Sequence, residues 1–90
     1  MSVKIQIHVT HRRHTNGQKT IEVEGNSVGE ALNNFVKLHP GMKNELFDKK
    51  QGLRHYIEIY LNNESAYPGE LEKQVNPGDE IQIITFLAGG

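Results

Sequence analysis

The chain has no cysteine among its 90 residues. Disulfide scaffolds, thiol nucleophiles and cysteine-based metal sites are therefore excluded, and the composition fits a reducing compartment. Charge of a single sign is missing too: Lys and Arg total 10, Asp and Glu total 11, and the formal net charge is −1. Nucleic-acid binders carry a broad positive field, so no nucleic-acid partner is expected. No apolar run approaches the roughly 20 residues of a membrane span. The N-terminal Met1-Ser2-Val3-Lys4-Ile5-Gln6 alternates polar and apolar residues at once, unlike the unbroken apolar stretch of a leader. Also lacking are a Ser-His-Asp order, a phosphate-binding glycine loop and a paired-carboxylate motif, so no independent enzyme is expected. What remains is one small soluble domain, expected in the cytoplasm with no membrane partner and large enough for a modest core without metal or disulfide.

The residues that are present follow two periods. Val3, Ile5, Ile7 and Val9 alternate with Lys4, Gln6 and His8, the period-two pattern of a half-buried strand. Asn16-Gly17 supplies the positive φ of a tight turn inside "THRRHTNGQK", and Ile21 and Val23 then alternate with Thr20, Glu22 and Glu24. That second strand is expected to pair with the first as a hairpin. Ser27 lies three residues before Glu30, a capping box that opens a helix. Val28, Leu32, Phe35, Val36 and Leu38 carry its apolar face, and His39-Pro40-Gly41 stops it. Met42, Leu46 and Phe47 predict a short second helical turn beneath it.

Residues 56–61 alternate again, with Ile57, Ile59 and Leu61 on one face and Tyr56, Glu58 and Tyr60 on the other. Asn62-Asn63 turns that strand. The irregular stretch beyond has room for a short edge strand and a helical turn between Leu71 and Val75. Asn76-Pro77-Gly78-Asp79 is a strong turn signal before a last strand. In that strand Ile81, Ile83 and Thr85 face one way, and Gln82, Ile84 and Phe86 the other. The expected fold is α+β: a mixed four- to five-stranded sheet with one main helix across one face. The first and last strands are expected to be parallel neighbours near its centre. A single covered face leaves Ile84 and Phe86 bare, which marks them as a candidate partner surface.

The opening strand pair, the capped helix after "EGNSVGEAL", "IYLNNE", "VNPGDEIQII" and the final "AGG" together resemble the ubiquitin-like β-grasp proteins. Within them the chain is similar to the MoaD/ThiS sulfur carriers, and "HRRHTNGQK" and "LFDKKQGLRHYIEIYLNNE" look closest to the CysO-type branch. The resemblance implies a β-grasp domain over residues 1–86 and a flexible tail over 87–90. It implies a carrier whose reactive group is the Gly90 carboxylate, adenylated with ATP by a MoeB/ThiF-like partner. A sulfur donor protein or sulfide source would then convert it to a thiocarboxylate. The implied acceptor enzyme is a pyridoxal-phosphate-dependent cysteine or homocysteine/methionine-pathway synthase, and some such systems add a zinc-dependent protease. No cofactor of the chain's own is implied. A molybdopterin synthase small subunit, a ThiS-like thiazole sulfur donor and a ubiquitin-like protein modifier use the same tail and stand as alternatives.

Chemistry explains the tail residues. A carboxylate resists nucleophiles until it carries a good leaving group, so it must be held in line with an ATP phosphate in a confined site. Gly89 and Gly90 remove the Cβ atoms that would hinder threading, and Ala88 is the next smallest step outward. Ile84, Phe86 and Leu87 are expected to supply docking contacts, with Tyr56 and Tyr60 as further candidates. His8, His11 and His14 recur every third residue, but an extended loop would not converge their rings and no acidic residue is near in sequence. They are expected to form a solvated polar loop, not a metal site. Arg12, Arg13, Lys19, Lys49, Lys50 and Arg54 are sparse for nucleic acid but could meet an acidic partner.

Overall fold

The computed structural model describes residues 2–86. It contains strands β1 (Ser2–Gln6), β2 (Thr20–Glu24), β3 (Ile57–Leu61), β4 (Glu64–Ser65) and β5 (Glu80–Thr85), with helices α1 (Val28–Leu38) and α2 (Lys43–Leu46). The strands form one sheet in the order β2-β1-β5-β3-β4. As expected, β1 and β5 are parallel neighbours in its interior, with Ile5 beside Ile81. The other neighbours are antiparallel: Val3 faces Val23 between β1 and β2, and Ile59 faces Ile83 between β3 and β5.

Period-two burial sets which face is covered. Val3, Ile5, Ile21, Val23, Ile57, Ile59, Ile81 and Ile83 are all buried beneath α1. From the helix come Val28, Ala31, Leu32 and Phe35, each fully buried. Met42 and Leu46 follow from the tight turn and α2, as their spacing predicts. The helix starts where the capping box places it: the Glu30 amide donates to Ser27 Oγ at 3.1 Å. Its reciprocal partner is shifted by one residue, because the Glu30 carboxylate accepts from the Asn26 amide and not from that of Ser27. At the far end His39 leaves the helical region (φ −131°, ψ 77°), which Pro40 disfavours for its predecessor. Asn62 and Asn63 both have positive φ and turn β3 into the short edge strand β4.

Three sequence expectations change. The stretch between β1 and β2 is not a plain polar loop, since Val9–Thr15 forms a 3-10 helix. It takes Val9 off the buried strand face and leaves it 62% exposed, although Ile7 stays buried. Leu38, the last residue of α1, is 61% exposed. The turn expected between Leu71 and Val75 is a 3-10 helix at Glu70–Glu72, with Val75 buried after it. The proposed tail, 87–90, lies outside the described residues.

Close approach of α1 to that last segment requires glycine. A Cβ on Gly29 would lie 2.9 Å from the Leu71 carbonyl oxygen, a backbone atom that cannot swing aside. Alanine is the better helix former by about 0.8–1 kcal/mol, yet the clash should outweigh that gain. Gly29→Ala is expected to destabilise the fold by about 1–3 kcal/mol in urea unfolding. Gly52→Ala, whose Cβ would meet nothing nearer than 3.9 Å, is the matched control and should be close to neutral.

Candidate functional site: the end of the last strand

The last strand is central, so both of its faces must be accounted for at its C-terminal end. Ile81 and Ile83 point into the core, whereas Ile84 is half-buried and Phe86 is 53% exposed on the uncovered side. The Phe86 amide donates to the Tyr56 carbonyl at 2.7 Å, which extends the pairing with β3 by one residue. Thus Tyr56 is beside Phe86, with its ring edge-on to His55 at 5.4 Å. Tyr60 is opposite Gln82, one alternation farther from the strand's end than the Glu58–Ile84 pair, and is also half-buried. Of the expected docking residues, Ile84, Phe86 and Tyr56 are brought together and Tyr60 sits at the margin. Leu87, Ala88, Gly89 and Gly90 lie outside the described residues.

Val9 is a residue that sequence reasoning missed. A shallow groove of about 300 Å³ joins it to Ile84, with Gln6, His8 and Gln82 along its sides. The alternation from Val3 counted Val9 as core, and only the tight helix turns it outward. On the other flank a broader groove of about 530 Å³ runs between Phe86, Leu53, His55 and Tyr67. Exposed apolar side chains therefore continue across the strand's end. Acidic residues border them along the same sheet face: Glu58 is opposite Ile84, and Glu80 is beside Lys4.

Beneath the strand's end the chemistry is different. His11 is only 6% exposed, and its Nε2 is 2.8 Å from the Thr85 hydroxyl. The two close one wall of a cleft of about 330 Å³, with Arg13, Glu45 and Tyr56 around it. Burial lowers the His11 pKa below its ordinary value of 6.5, and His14, His8 and Arg13 push the same way. Glu45 opposes them without reversing the shift. His11 is therefore neutral near pH 7.

The three histidines correct an earlier premise. In a 3-10 helix residues three apart share one side, so their spacing alone would not have kept the rings apart. Individual bonds separate them. His8 accepts from the Thr10 amide, His11 turns to Thr85, and His14 meets Glu45 at 3.3 Å. Among the described residues no three His, Asp or Glu side chains are placed to hold a metal. The expected solvated loop is corrected as well, because His11 and Thr15 are buried. Thr15 fills a structural role, its hydroxyl donating to the Gln18 carbonyl at 2.9 Å.

A family model described as the ThiS family matches residues 6–90. The chain belongs to the ThiS family. It is 29% identical to the sulfur carrier protein CysO of Mycobacterium tuberculosis, over the full length of both chains. It is 31% identical to small archaeal modifier protein 1 of Haloferax volcanii, over 82% of this chain and 85% of that one. Among solved structures, it is similar to the Amycolatopsis orientalis BexX/CysO complex at TM-score 0.88 and 34% identity, covering 98% of this chain and 99% of that one. The fold is the ubiquitin-like β-grasp, and the chain is a small sulfur carrier protein of the CysO/ThiS/MoaD type, not an enzyme.

Burial of a neutral histidine has a signed consequence for stability. Its folded pKa lies below the unfolded value, so the unfolded chain binds more protons between the two and stability rises with pH there. The contribution is complete above the ordinary value of 6.5 and is lost as pH falls from there through the lowered folded value. Urea midpoints measured from about pH 7.5 to about pH 5 should fall for the native chain and fall less steeply for His11→Gln. Equal slopes would contradict the assignment.

Proposed function

We propose that the chain carries sulfur as a C-terminal thiocarboxylate on Gly90 for sulfur amino-acid synthesis, in the CysO manner. The full-length likeness to CysO carriers is the observation that supports this reading. The family match reaches residue 90 and so includes both glycines. A partner of the MoeB/ThiF type binds ATP and joins the Gly90 carboxylate to AMP, releasing pyrophosphate. Sulfide, supplied free or by a donor protein, attacks the acyl carbon and AMP departs with its electron pair. The thiocarboxylate sulfur then adds to an activated amino-acid intermediate held by a pyridoxal-phosphate enzyme. In some systems a zinc-dependent protease releases the new amino acid. All of these steps belong to the cytoplasm.

Within that sequence the chain's own contribution is docking and reach. Val9, Ile84, Tyr56 and Phe86 offer the apolar surface that a partner would cover, with Leu87 as its expected continuation. Ala88, Gly89 and Gly90 are small enough to enter a narrow channel. Likeness to an archaeal modifier protein favours a second reading, in which a lysine amine of another protein attacks the same adenylate. The two readings share the activation step and differ in the nucleophile.

Intact mass separates them. With activating enzyme, ATP and sulfide, the chain should gain one sulfur in exchange for one oxygen. It should then gain the mass of the amino-acid fragment when the acceptor and its enzyme are added, and return to its starting mass once that bond is hydrolysed. A ladder of protein conjugates would instead favour the modifier reading. A variant with one residue added after Gly90 should fold normally and take up no sulfur. Normal sulfur uptake by that variant would overturn the role of Gly90.

A further inference from the structure

The inner face of β5 breaks its own pattern at its last residue. Ile81 and Ile83 are apolar and buried, and the next side chain on that face is Thr85. Against it stands His11, the buried titratable side chain among the described residues. An apolar pair would close this edge of the core without desolvating an imidazole. Sequences that depart from a consistent pattern in this way do so chiefly at sites of function. What the polar pair supplies is direction. The imidazole–hydroxyl bond at 2.8 Å fixes the Thr85 side chain to the 3-10 helix. One residue on, the Phe86 amide is fixed to the β3 side through the Tyr56 carbonyl. The strand's end is thus held from two opposite sides immediately before the residues proposed to enter a partner.

We propose that His11 is a positioning residue which, through Thr85, clamps the strand's end and sets the direction in which the chain leaves the sheet toward Gly90. The inference rests on the carrier reading above. A carboxylate that must reach an ATP phosphate in line gains rate from a fixed starting geometry, because misplacement at the root is carried to the tip. The clamp is separate from docking. Its bonded pair lies beneath the strand, and the Val9–Ile84 part of the docking surface lies on the opposite face, with Tyr56 bordering both. Loss of the clamp should therefore leave partner binding intact and slow the chemistry that follows it. Burial disfavours the charged ring, so the closed clamp is favoured where His11 is neutral and loses stability to an opened state as the pH falls. The ring is faced by His8, Arg13 and His14 from its own segment, and by Glu45 of α2, while Tyr56 and Thr85 complete the cleft from the sheet side.

Thr85→Val removes the hydroxyl at constant volume, Thr85→Ser keeps it, and His11→Phe removes the ring nitrogens. Amide exchange of Phe86 reads the clamp without any partner. Its protection should drop about tenfold in Thr85→Val and His11→Phe, and recover in Thr85→Ser. In the native chain, but not in His11→Phe, protection should also decline as pH falls below 6.5. With the activating enzyme, kcat for adenylation should fall about tenfold in Thr85→Val with KM nearly unchanged. Ile84→Ala should do the reverse and raise KM. The double variant His11→Phe/Thr85→Val should be no worse than either single change, since both remove one bond. Phe86 protection and kcat unchanged in Thr85→Val would overturn the proposal, as would equal losses in Thr85→Val and Thr85→Ser. A native chain that never takes up sulfur, with Phe86 protection still dependent on His11 and Thr85, would support the clamp and refute the carrier reading.

Discussion

The parallel pairing of β1 with β5 is the constraint from which the rest of this molecule follows. It lays the chain's two end strands side by side in the sheet interior, where Ile5 and Ile81 are both fully shielded from water. A parallel pair cannot be joined by a tight turn, so the chain between must cross over the sheet. Here α1 makes that crossing, and its fully buried Val28, Ala31, Leu32 and Phe35 cover the inner face. The single main helix leaves the outer face without a matching layer. A central strand in such a sheet presents one row of side chains to the core and one to water or a partner.

That asymmetry gives the end of β5 two kinds of neighbour. Outward are Ile84 and Phe86, continued by Val9, a surface suited to being covered. Inward is Thr85, tied to His11 under the edge of the core. The apolar row contributes binding through area removed from water. By contrast the polar tie contributes little to affinity and more to orientation, because a hydrogen bond is directional and burial is not. On the proposed reading, docking falls mainly to the outer row and aiming to the inner tie. A carrier that must visit successive enzymes gains from this separation, since a partner can grip the outer row without disturbing the inner tie.

Local signals in the sequence were legible wherever the physics was local. Ser27 and Glu30 started the helix, Pro40 stopped it, and Asn62-Asn63 and Asn76-Pro77-Gly78-Asp79 turned the chain at those positions. Strand alternation also named the core correctly at Val3, Ile5, Ile21, Val23, Ile57, Ile59, Ile81 and Ile83. The largest misreading lies just after Ile7. A polar, histidine-rich stretch looked like a loop because its composition shows no apolar periodicity. Its 3-10 helix is held by caps and tertiary bonds, among them His11 Nε2 with the Thr85 hydroxyl at 2.8 Å and His14 Nε2 with the Glu45 carboxylate at 3.3 Å. Propensity says little about a segment whose stability comes from what it packs against.

By itself, then, the sequence determined the alternating faces, the helix with its caps, the central placement of the end strands and the bare apolar row at Ile84 and Phe86. Each of these depends on residues within a turn or two of one another, or on the parity of a strand, and such patterns are written along the chain. Only the tertiary structure decided that Val9 points outward beside Ile84 and that His11 is buried against Thr85. Those placements join residues from distant parts of the chain. They depend on the path of one short helix across the sheet's end, and the environment of a side chain at such a junction is set by packing in three dimensions rather than by its neighbours in sequence.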